Sequence, residues 1–456
     1  MTVRMNKLRV WLSQKLTPMR VIALGFAGLI LFGAVLLTLP VASRDNASAG
    51  FLPALFTATS ATCVTGLVVF DTWSQWTPFG QVVIICLIEI GGLGFMAAAS
   101  LVFSLLRRKV GLRQRMLMAQ MLSSNEMAGV VKLQKMAILG SLGIQVLGAL
   151  ILTVYFWPKY GFARAVTWGA FHAVSAFCNA GFDIFGSIDP GMSLIPFASD
   201  PVVLLTLSSL IIIGGLGFLV WEEIVTKRRF SRFSVYTKLV LVITLVLLVL
   251  ATVCYCALEW NNPQTLGNMS VPHKILGGFF QSVTVRTAGF AAIDQAQLTD
   301  GSIGVTLVLM LIGGSSGSTA GGVKTVTMVV VLLFLWNRAR GRETVTVFHR
   351  TIPNGQVLQA MTLVAMMVLL AVFGGIFLSA TSPISLSAGL FESVSALATT
   401  GLTAGATGKL SAAGKLLMIL YMYFGRVGIL TISLGFLTGN RAQERFQYAQ
   451  ANLLIG

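Results

Sequence analysis

The stretch FTATSATCVTGL at residues 56–67 recurs in three related forms farther along the chain. These are FHAVSAFCNAGF at 171–182, FFQSVTVRTAGF at 279–290 and FESVSALATTGL at 391–402. We call them glycine segments one to four, because each begins with Phe and carries Gly ten residues later. The four glycines are Gly66, Gly181, Gly289 and Gly401. Their separations of 115, 108 and 112 residues indicate an internal repeat, which decides the architecture before any local pattern does.

The composition is that of an integral membrane protein. Of the 456 residues 55% are hydrophobic and only 10% are charged, with a mean hydropathy of +0.84. A soluble protein could not solvate such a surface. Eight apolar stretches are long enough to predict membrane spans, at about 19–40, 80–106, 133–157, 201–223, 238–259, 303–336, 357–380 and 414–438.

The net charge of +17 could suggest a nucleic-acid partner, but its distribution argues against one. Most basic residues lie at the N-terminus, in the tail or in alternate connections between the predicted spans. The positive-inside rule then places both termini in the cytoplasm and the four glycine segments outside. We therefore expect a multi-pass membrane protein, in contact with lipids and not with nucleic acid. The five cysteines give neither a disulfide framework nor a metal-binding spacing.

Each repeat reads as a span, a re-entrant segment and a second span. Two crossings per repeat preserve orientation, so the repeats are parallel and related by an axis along the membrane normal. The predicted fold is an all-α membrane protein with eight spans and pseudo-fourfold symmetry around one central pore. The predicted repeats cover residues 1–115, 116–230, 231–350 and 351–456.

The first part of each glycine segment is too short and too polar to span the membrane. As a short helix entering from outside, it would aim its partially negative C-terminal end at the membrane centre, which favours a cation there. The chain must then return as an extended stretch whose backbone carbonyls can replace the water around an ion. Glycine permits the close approach of the four segments. The alternative is that each glycine merely ends a surface helix. The predicted ion-contacting residues are Val64, Thr65, Gly66, Asn179, Ala180, Gly181, Thr287, Ala288, Gly289, Thr399, Thr400 and Gly401.

The sixth apolar stretch contains GGSSGSTAGG at residues 313–322, followed by Lys324. Ten small residues will not form a stable straight helix, so we predict two half-helices and an interruption that lines the pore and acts as a gate. A phosphate-binding loop is a poor alternative, because Val323 breaks the spacing and no strand precedes it. The predicted gate consists of Gly313, Gly314, Ser315, Ser316, Gly317, Ser318, Thr319, Ala320, Gly321, Gly322, Lys324 and Arg426.

Arg426 belongs to this gate because it lies in the last apolar stretch, at the position of the glycine motif in the earlier repeats. We expect it to line the pore and to hold the loop, with structural pairing to backbone carbonyls as the alternative. Arg286 in the third segment is expected to brace the segment through Glu392 or Asp294. Whether Glu89 pairs or is protonated remains open at this stage.

The segments SATCVTGL, SAFCNAGF, VRTAGF and SALATTGLTAG, with GGSSGSTAGGVKT and FGRVG, resemble the Trk, Ktr and HKT superfamily of potassium transporters over essentially the whole chain. Within it the chain is most similar to the membrane subunits of bacterial Ktr systems. The resemblance implies a filter at Gly66, Gly181, Gly289 and Gly401, a gating loop at 313–322 and a pore arginine at Arg426. Gly66, where some plant members have serine, implies selectivity for potassium.

The resemblance also implies a homodimer with one pore per subunit, seated on a cytosolic ring of nucleotide-binding RCK-type regulatory subunits. It implies no cofactor on this chain itself, potassium as the transported ion and sodium as a candidate activator, although the sequence contains no evident sodium site. We expect a gated potassium uptake pore driven by membrane potential, and no enzyme. A sodium- or proton-coupled symporter on the same scaffold stays open as the alternative. A membrane enzyme for lipid-linked substrates lacks the clustered acids or histidines that it would need.

Overall fold

The computed structural model describes residues 18–94, 116, 130–342 and 344–428. Four helices in these ranges are long and apolar enough to cross a membrane. Each precedes one glycine segment, in agreement with four of the predicted spans. The shortest, of 21 residues, reaches about 30 Å, the thickness of the hydrocarbon core. They are α1 (Pro18–Thr38), α5 (Val130–Tyr160), α9 (Val235–Glu259) and α13 (Asn354–Thr381).

A short helix of 12 to 16 residues begins each glycine segment and packs against the long helix before it. The leading phenylalanine is buried in segments one, two and four, at Phe56, Phe171 and Phe391. In segment three the fully buried ring is that of Phe280, one residue later than the sequence alignment places it. The short helices are α2 (Phe51–Thr62), α6 (Phe162–Phe177), α10 (Val271–Thr284) and α14 (Leu386–Leu397).

The chain after each glycine segment returns through a second set of helices. Three of them stop at a glycine with positive φ, at Gly94 (87°), Gly217 (94°) and Gly428 (92°), where other residues would be strained. The set comprises α4 (Pro78–Leu93), α7 (Pro201–Leu216) with α8 (Phe218–Lys227), α11 (Asp300–Leu311) with α12 (Thr325–Ala339), and α15 (Ala412–Val427).

The apolar stretch predicted as a span at 201–223 is not one straight helix, because α7 and α8 are bent by 92° at Gly217. The helical hydrogen-bond pattern breaks there, since the Phe218 amide donates to the carbonyl of Gly317 in a different part of the chain, at 3.0 Å. The predicted interruption of 303–336 is confirmed, with residues 312–324 lying between α11 and α12. The ends of the predicted spans 80–106 and 414–438 lie outside the described residues, as does most of the basic connection at 107–132.

The remaining elements are small. An antiparallel hairpin pairs β1 (Val345–Val347) with β2 (Arg350–Ile352), and Val345 packs with Val330 and Val357 between α12 and α13. The one-turn helix α3 (Thr72–Gln75) follows glycine segment one. Short 3-10 turns occur at Pro40–Ala42, Phe185–Ser187, Ile195–Phe197, Phe230–Arg232, Gln295–Gln297 and Thr407–Lys409.

Candidate ion site and intramembrane loop

The four segment glycines close a ring. A Cβ atom added to Gly66 would lie 3.2 Å from the Cα of Gly181, and one on Gly181 would lie 2.7 Å from that of Gly289. The series continues from Gly289 to Gly401 at 3.2 Å, and from Gly401 back to Gly66 at 3.0 Å. Each glycine therefore meets its neighbours in sequence order, and side chains larger than hydrogen would not fit. This arrangement excludes the alternative in which each glycine only ends a surface helix.

The backbone before the ring has the same unusual conformation in all four segments. Val64, Asn179, Thr287 and Thr399, each two residues before its glycine, have φ between 51° and 67°. Such values are rare for non-glycine residues, cost about 1–3 kcal/mol each, and persist only where the surrounding structure imposes them. They concentrate at ligand clamps and active sites. At this position the four segments thus share a backbone conformation and not a side chain.

Hydroxyl groups of the short helices form hydrogen bonds with the backbone at the ring glycines or at the residue after them. The amides of Gly66 and Gly401 donate to the hydroxyls of Ser60 and Ser395, both at 3.1 Å. In the other two segments the hydroxyl donates to the carbonyl that follows the glycine, from Ser175 to Phe182 and from Thr284 to Phe290. Sequence reasoning missed these residues. The signal was serine at the fifth position of three segments, replaced in the third by threonine one residue later.

A cavity of about 300 Å³ adjoins the ring, and we call it the vestibule. All four segment glycines line it, together with the carboxylates of Asp71, Asp183 and Asp294 and the chain that follows each glycine. Burial and the neighbouring charge of Asp71 raise the pKa of Asp183 to about 7. The vestibule is therefore a small, acidic compartment with the glycine ring as part of its wall.

Residues 312–324 form a loop with a closed neck. The Gly313 amide donates to the Val323 carbonyl at 2.9 Å, and the Thr325 amide donates to the Gly314 carbonyl at 3.1 Å. The tip of the loop lies along the end of α7. There Ser315 and Thr319 donate their amides to the carbonyls of Gly215 and Gly214, at 3.1 and 3.3 Å.

The loop also contacts two glycine segments directly. The Thr319 hydroxyl donates to the Phe177 carbonyl at 3.1 Å and lies 3.2 Å from the side-chain amide of Asn179 in segment two. On the other side, Gly321 packs so closely on Thr399 of segment four that a Cβ atom would overlap its hydroxyl. Asn179 and Thr399 precede their glycines by two residues, whereas the glycines themselves line the vestibule. The loop therefore contacts the stretch before the ring glycines, and the vestibule adjoins the glycines and the chain after them.

Arg426 bonds to backbone carbonyls on two sides. Its guanidinium donates to the carbonyl of Thr319 in the loop and to those of Gly91 and Gly92 in α4. The two sequence-based readings, a residue that holds the loop and a residue paired with carbonyls, thus describe one set of contacts. Lys324 likewise donates within the loop, to the Ala320 carbonyl at 2.8 Å.

The predicted pairing of Arg286 with Glu392 or Asp294 is wrong. The Arg286 guanidinium instead lies 3.3 Å from the Thr325 hydroxyl and 3.5 Å from the Gly313 carbonyl, at the neck of the loop. Glu392 is occupied by donors from residues 403–407, and Asp294 caps the turn at Ala296. Arg286 therefore connects segment three to the loop and not to an acid.

Glu89 has no cationic partner among the described residues. Its Oε2 accepts hydrogen bonds from the Gln145 amide at 2.9 Å and the Cys178 thiol at 3.3 Å. Its Oε1 is buried without a partner in the same part of the structure. Within the described residues, Glu89 is therefore hydrogen-bonded to two neutral donors and not paired with a cation.

Comparison with known proteins identifies the family. A family model for TrkH, described as a cation transport protein, matches residues 29–444. The potassium/sodium uptake protein NtpJ of Enterococcus hirae is 40% identical over the full length of both chains, and the Ktr system potassium uptake protein B of Bacillus subtilis is 41% identical, also over both full lengths. The fold matches the crystal structure of the potassium transporter TrkH from Vibrio parahaemolyticus with a TM-score of 0.69, at 19% identity, over 90% of this chain and 84% of that one.

These findings confirm the resemblance drawn from the glycine segments and the loop. They also agree with the expectation that the chain is not an enzyme, since the matching family transports cations across membranes. The chain belongs to the TrkH family of cation transport proteins.

Proposed function

We propose that this chain is the pore subunit of a gated potassium uptake system. The observation that carries the proposal is the closed ring of Gly66, Gly181, Gly289 and Gly401, in which four separate parts of the chain meet with the same backbone conformation. Relatives of full-length similarity are named for potassium uptake, which agrees with this assignment.

The ring acts as the selectivity filter. Backbone carbonyls from the four segments replace the water of a potassium ion, and a smaller or larger ion meets a poorer set of oxygens. Four parallel repeats with eight crossings and pseudo-fourfold symmetry would place the ion on a single axis. Inward movement is driven by the membrane potential, at about 2.3 kcal/mol per charge per 100 mV.

The vestibule collects cations on the outer side of the filter. Asp71, Asp183 and Asp294 line a confined space, and a cleft with carboxylates of one sign raises the local concentration of counter-ions. Their positions just after the ring glycines agree with the sequence-based topology, in which these segments face outward and both termini lie in the cytoplasm.

In this proposal the loop at 312–324 is the gate, and its contacts hold the pore closed. Its contacts with Asn179 and Thr399 put it against the residues that precede the ring glycines, so an ion leaving the ring on that side would meet it. Arg426 adds a fixed positive charge at the same level and ties the loop to α4. Transport then requires that the tip move away from these contacts.

The Ktr relatives support a proposal for the cellular setting. Proteins named as components of the Ktr system match this chain, so we propose that it works with other Ktr subunits as a homodimer on a cytosolic RCK-type ring in the bacterial inner membrane. Regulation by nucleotides would then come from that ring. Stimulation by sodium belongs to the same proposal.

A sodium- or proton-coupled symporter on this scaffold is the second candidate. The observation in its favour is Glu89, a carboxylate beside segment two with neutral donors and one buried oxygen without a described partner. A uniporting pore reverses its current at the potassium equilibrium potential, whereas a coupled carrier shifts that potential with the sodium or proton gradient. The reversal potential in proteoliposomes therefore separates the two candidates.

The test of the main proposal is potassium and sodium uptake in cells that lack their own potassium uptake, with and without a Ktr regulatory subunit. The variant is Gly66→Ser, whose Cβ would lie 2.5 Å from the Ala180 carbonyl oxygen. Gly161→Ser is the matched control, because Gly161 also has positive φ (82°) but has open space around it. We expect selective potassium uptake by the parent and by the control, and lost discrimination in Gly66→Ser. Uptake with unchanged selectivity in Gly66→Ser would contradict the assignment of the filter.

A further inference from the structure

In three of the four glycine segments, a buried polar side chain near the start of the segment holds the chain that leaves the ring. His172 Nε2 accepts the Ile184 amide at 3.2 Å in segment two, and Gln281 bonds to Gln295 at 2.7 Å in segment three. The corresponding residue of segment four is Glu392. These residues stand at the second position of segments two and four and at the third position of segment three, with the same one-residue shift as Phe280 and Thr284.

Glu392 accepts four hydrogen bonds from one short stretch of chain. It is fully buried, and its Oε1 accepts the Thr403 hydroxyl at 2.5 Å and the amides of Ala404 and Ala406 at 3.1 and 3.3 Å. Its Oε2 accepts the Thr407 hydroxyl at 2.6 Å. All four donors belong to residues 403–407, the turn that begins two residues after Gly401. Gly401, Thr403 and Thr407 all line the vestibule.

The chemistry of this contact is unusual for a buried acid. An ionised carboxylate only accepts hydrogen bonds, and Glu392 is surrounded by donors. No lysine or arginine in the described parts of the chain pairs with it, so the four hydrogen bonds are what offsets its burial. His172, by contrast, donates from Nδ1 to the Trp168 carbonyl at 2.7 Å and accepts at Nε2, and therefore acts as a neutral brace.

We propose that Glu392 is a positioning residue for the fourth glycine segment, which fixes the 403–407 turn and thereby keeps Gly401 in the ring at the spacing that favours potassium. The proposal rests on the assignment of the ring as the selectivity filter. Glu392 does not touch the ion. It acts through the turn, whose start is separated from Gly401 by Leu402 alone.

Two substitutions at this residue separate positioning from simple loss of packing. In Glu392→Gln the amide oxygen can keep the three donors on Oε1, and the amide nitrogen can donate to the Thr407 hydroxyl, which is both a donor and an acceptor. In Glu392→Ala two backbone amides and two hydroxyls lose their acceptor inside the protein. The turn then reorganises to find other partners, because buried donors without acceptors are costly.

The experiment measures potassium binding by the purified full-length chain in lipid nanodiscs. Thermal unfolding is followed as sodium is replaced by potassium at constant ionic strength, and the rise in Tm gives the half-saturating potassium concentration. A purely structural defect lowers Tm equally in both ions, whereas a displaced filter segment changes the difference between them. Ser387→Ala, an exposed hydroxyl on the same helix, is the matched control.

We expect the half-saturating potassium concentration to rise about tenfold in Glu392→Ala and to stay close to the parent value in Glu392→Gln and Ser387→Ala. Thr407→Val removes only one of the donors to Glu392, so it should raise the half-saturating potassium concentration less, by about threefold. This variant replaces Glu392→Ala in the test if the alanine variant does not fold. Parent-like potassium affinity in Glu392→Ala or, in its place, Thr407→Val would overturn the proposal. The proposal would also be overturned if Glu392→Gln raised the half-saturating potassium concentration as much as Glu392→Ala, because the charge and not the hydrogen bonds would then matter. A parent without any potassium-specific rise in Tm would instead refute the proposed filter itself.

Discussion

Arg426 donates hydrogen bonds to the carbonyl of Thr319 in the loop while it also donates to carbonyls of α4. One side chain of α15 thereby connects the loop to α4. The same guanidinium carries a fixed positive charge beside the loop, which contacts the residues preceding the ring glycines. In the proposed pore, Arg426 would therefore both hold the loop in place and repel cations.

Arg426→Gln should open the gate more often. The substitution removes the charge and at least one hydrogen bond to the loop, so we expect potassium uptake without a regulatory subunit to rise about tenfold. Initial rubidium uptake into proteoliposomes measures this rate. Arg340→Gln, an exposed arginine at the end of α12, is the control and should behave as the parent. A fall in uptake at equal protein abundance would show that Arg426 maintains the pore instead.

Deletion of residues 315–320 should raise unregulated flux and leave selectivity unchanged. The deletion removes the contacts of the tip with α7, Phe177 and Asn179, while the four ring glycines remain. Rubidium uptake and the potassium-to-sodium ratio are to be measured together. Flux at the parent level would remove the loop from the gating mechanism.

Arg286 should be coupled to Thr325 and not to Glu392. The Arg286 guanidinium lies 3.3 Å from the Thr325 hydroxyl, and that hydroxyl donates to the Gly313 carbonyl at 2.9 Å. In a double-mutant cycle on thermal unfolding, Arg286→Gln and Thr325→Val should show an interaction energy of about 1 kcal/mol. Exchange of the charges of Arg286 and Glu392 should not restore transport. Restored transport after the exchange would show that Arg286 pairs with Glu392, in contradiction to the structure.

Potassium uptake should depend on external pH through Asp183. Its pKa is raised to about 7 by burial and by the charge of Asp71, so the carboxyl is neutral below that pH and negative above it. Asp294 lines the same vestibule, and the Ser193 hydroxyl and Phe185 amide bond to Asp183. The half-saturating potassium concentration should fall about threefold from about pH 6 to about pH 8, as the vestibule gains a negative charge.

Asp183→Asn should abolish this dependence and keep the low-pH value throughout. Stability changes in the opposite sense to affinity, because an acid whose pKa is raised from 3.8 to about 7 in the folded state costs stability as the pH rises between these two values, and the loss levels off above the folded pKa. The Tm of the parent should therefore fall relative to Asp183→Asn over this interval. Asp189→Asn, an exposed acid outside the vestibule lining, is the control. A parent whose uptake does not change with pH would contradict the role of Asp183.

The sequence predicted the glycine segments and the interrupted helix because both depend on strong local signals. Repetition at a long period identifies Gly66, Gly181, Gly289 and Gly401 without any knowledge of their contacts. Ten small residues in an apolar stretch are incompatible with a continuous helix, so the break between α11 and α12 is visible in composition alone.

The remaining features depend on tertiary contacts that composition does not record. The run around Gly217 is uniformly apolar, and hydropathy cannot distinguish a straight span from one that bends when a backbone amide bonds to a distant loop. Segment three begins with two phenylalanines, Phe279 and Phe280, so the sequence alone does not show that the second of them takes the buried position. The partner of Arg286 depends on the direction of one side chain, which lies at Gly313 and Thr325 and not at either predicted acid.

The position of the ion in the proposed filter can be measured in a crystal structure of the chain grown in rubidium, with the ion located by anomalous scattering. We expect an anomalous peak enclosed by the carbonyls of the four segments, at the ring of Gly66, Gly181, Gly289 and Gly401. The peak should be lost when sodium replaces rubidium. A ring without rubidium, with the ion bound elsewhere along the pore, would contradict the assignment of these four glycines as the selectivity filter.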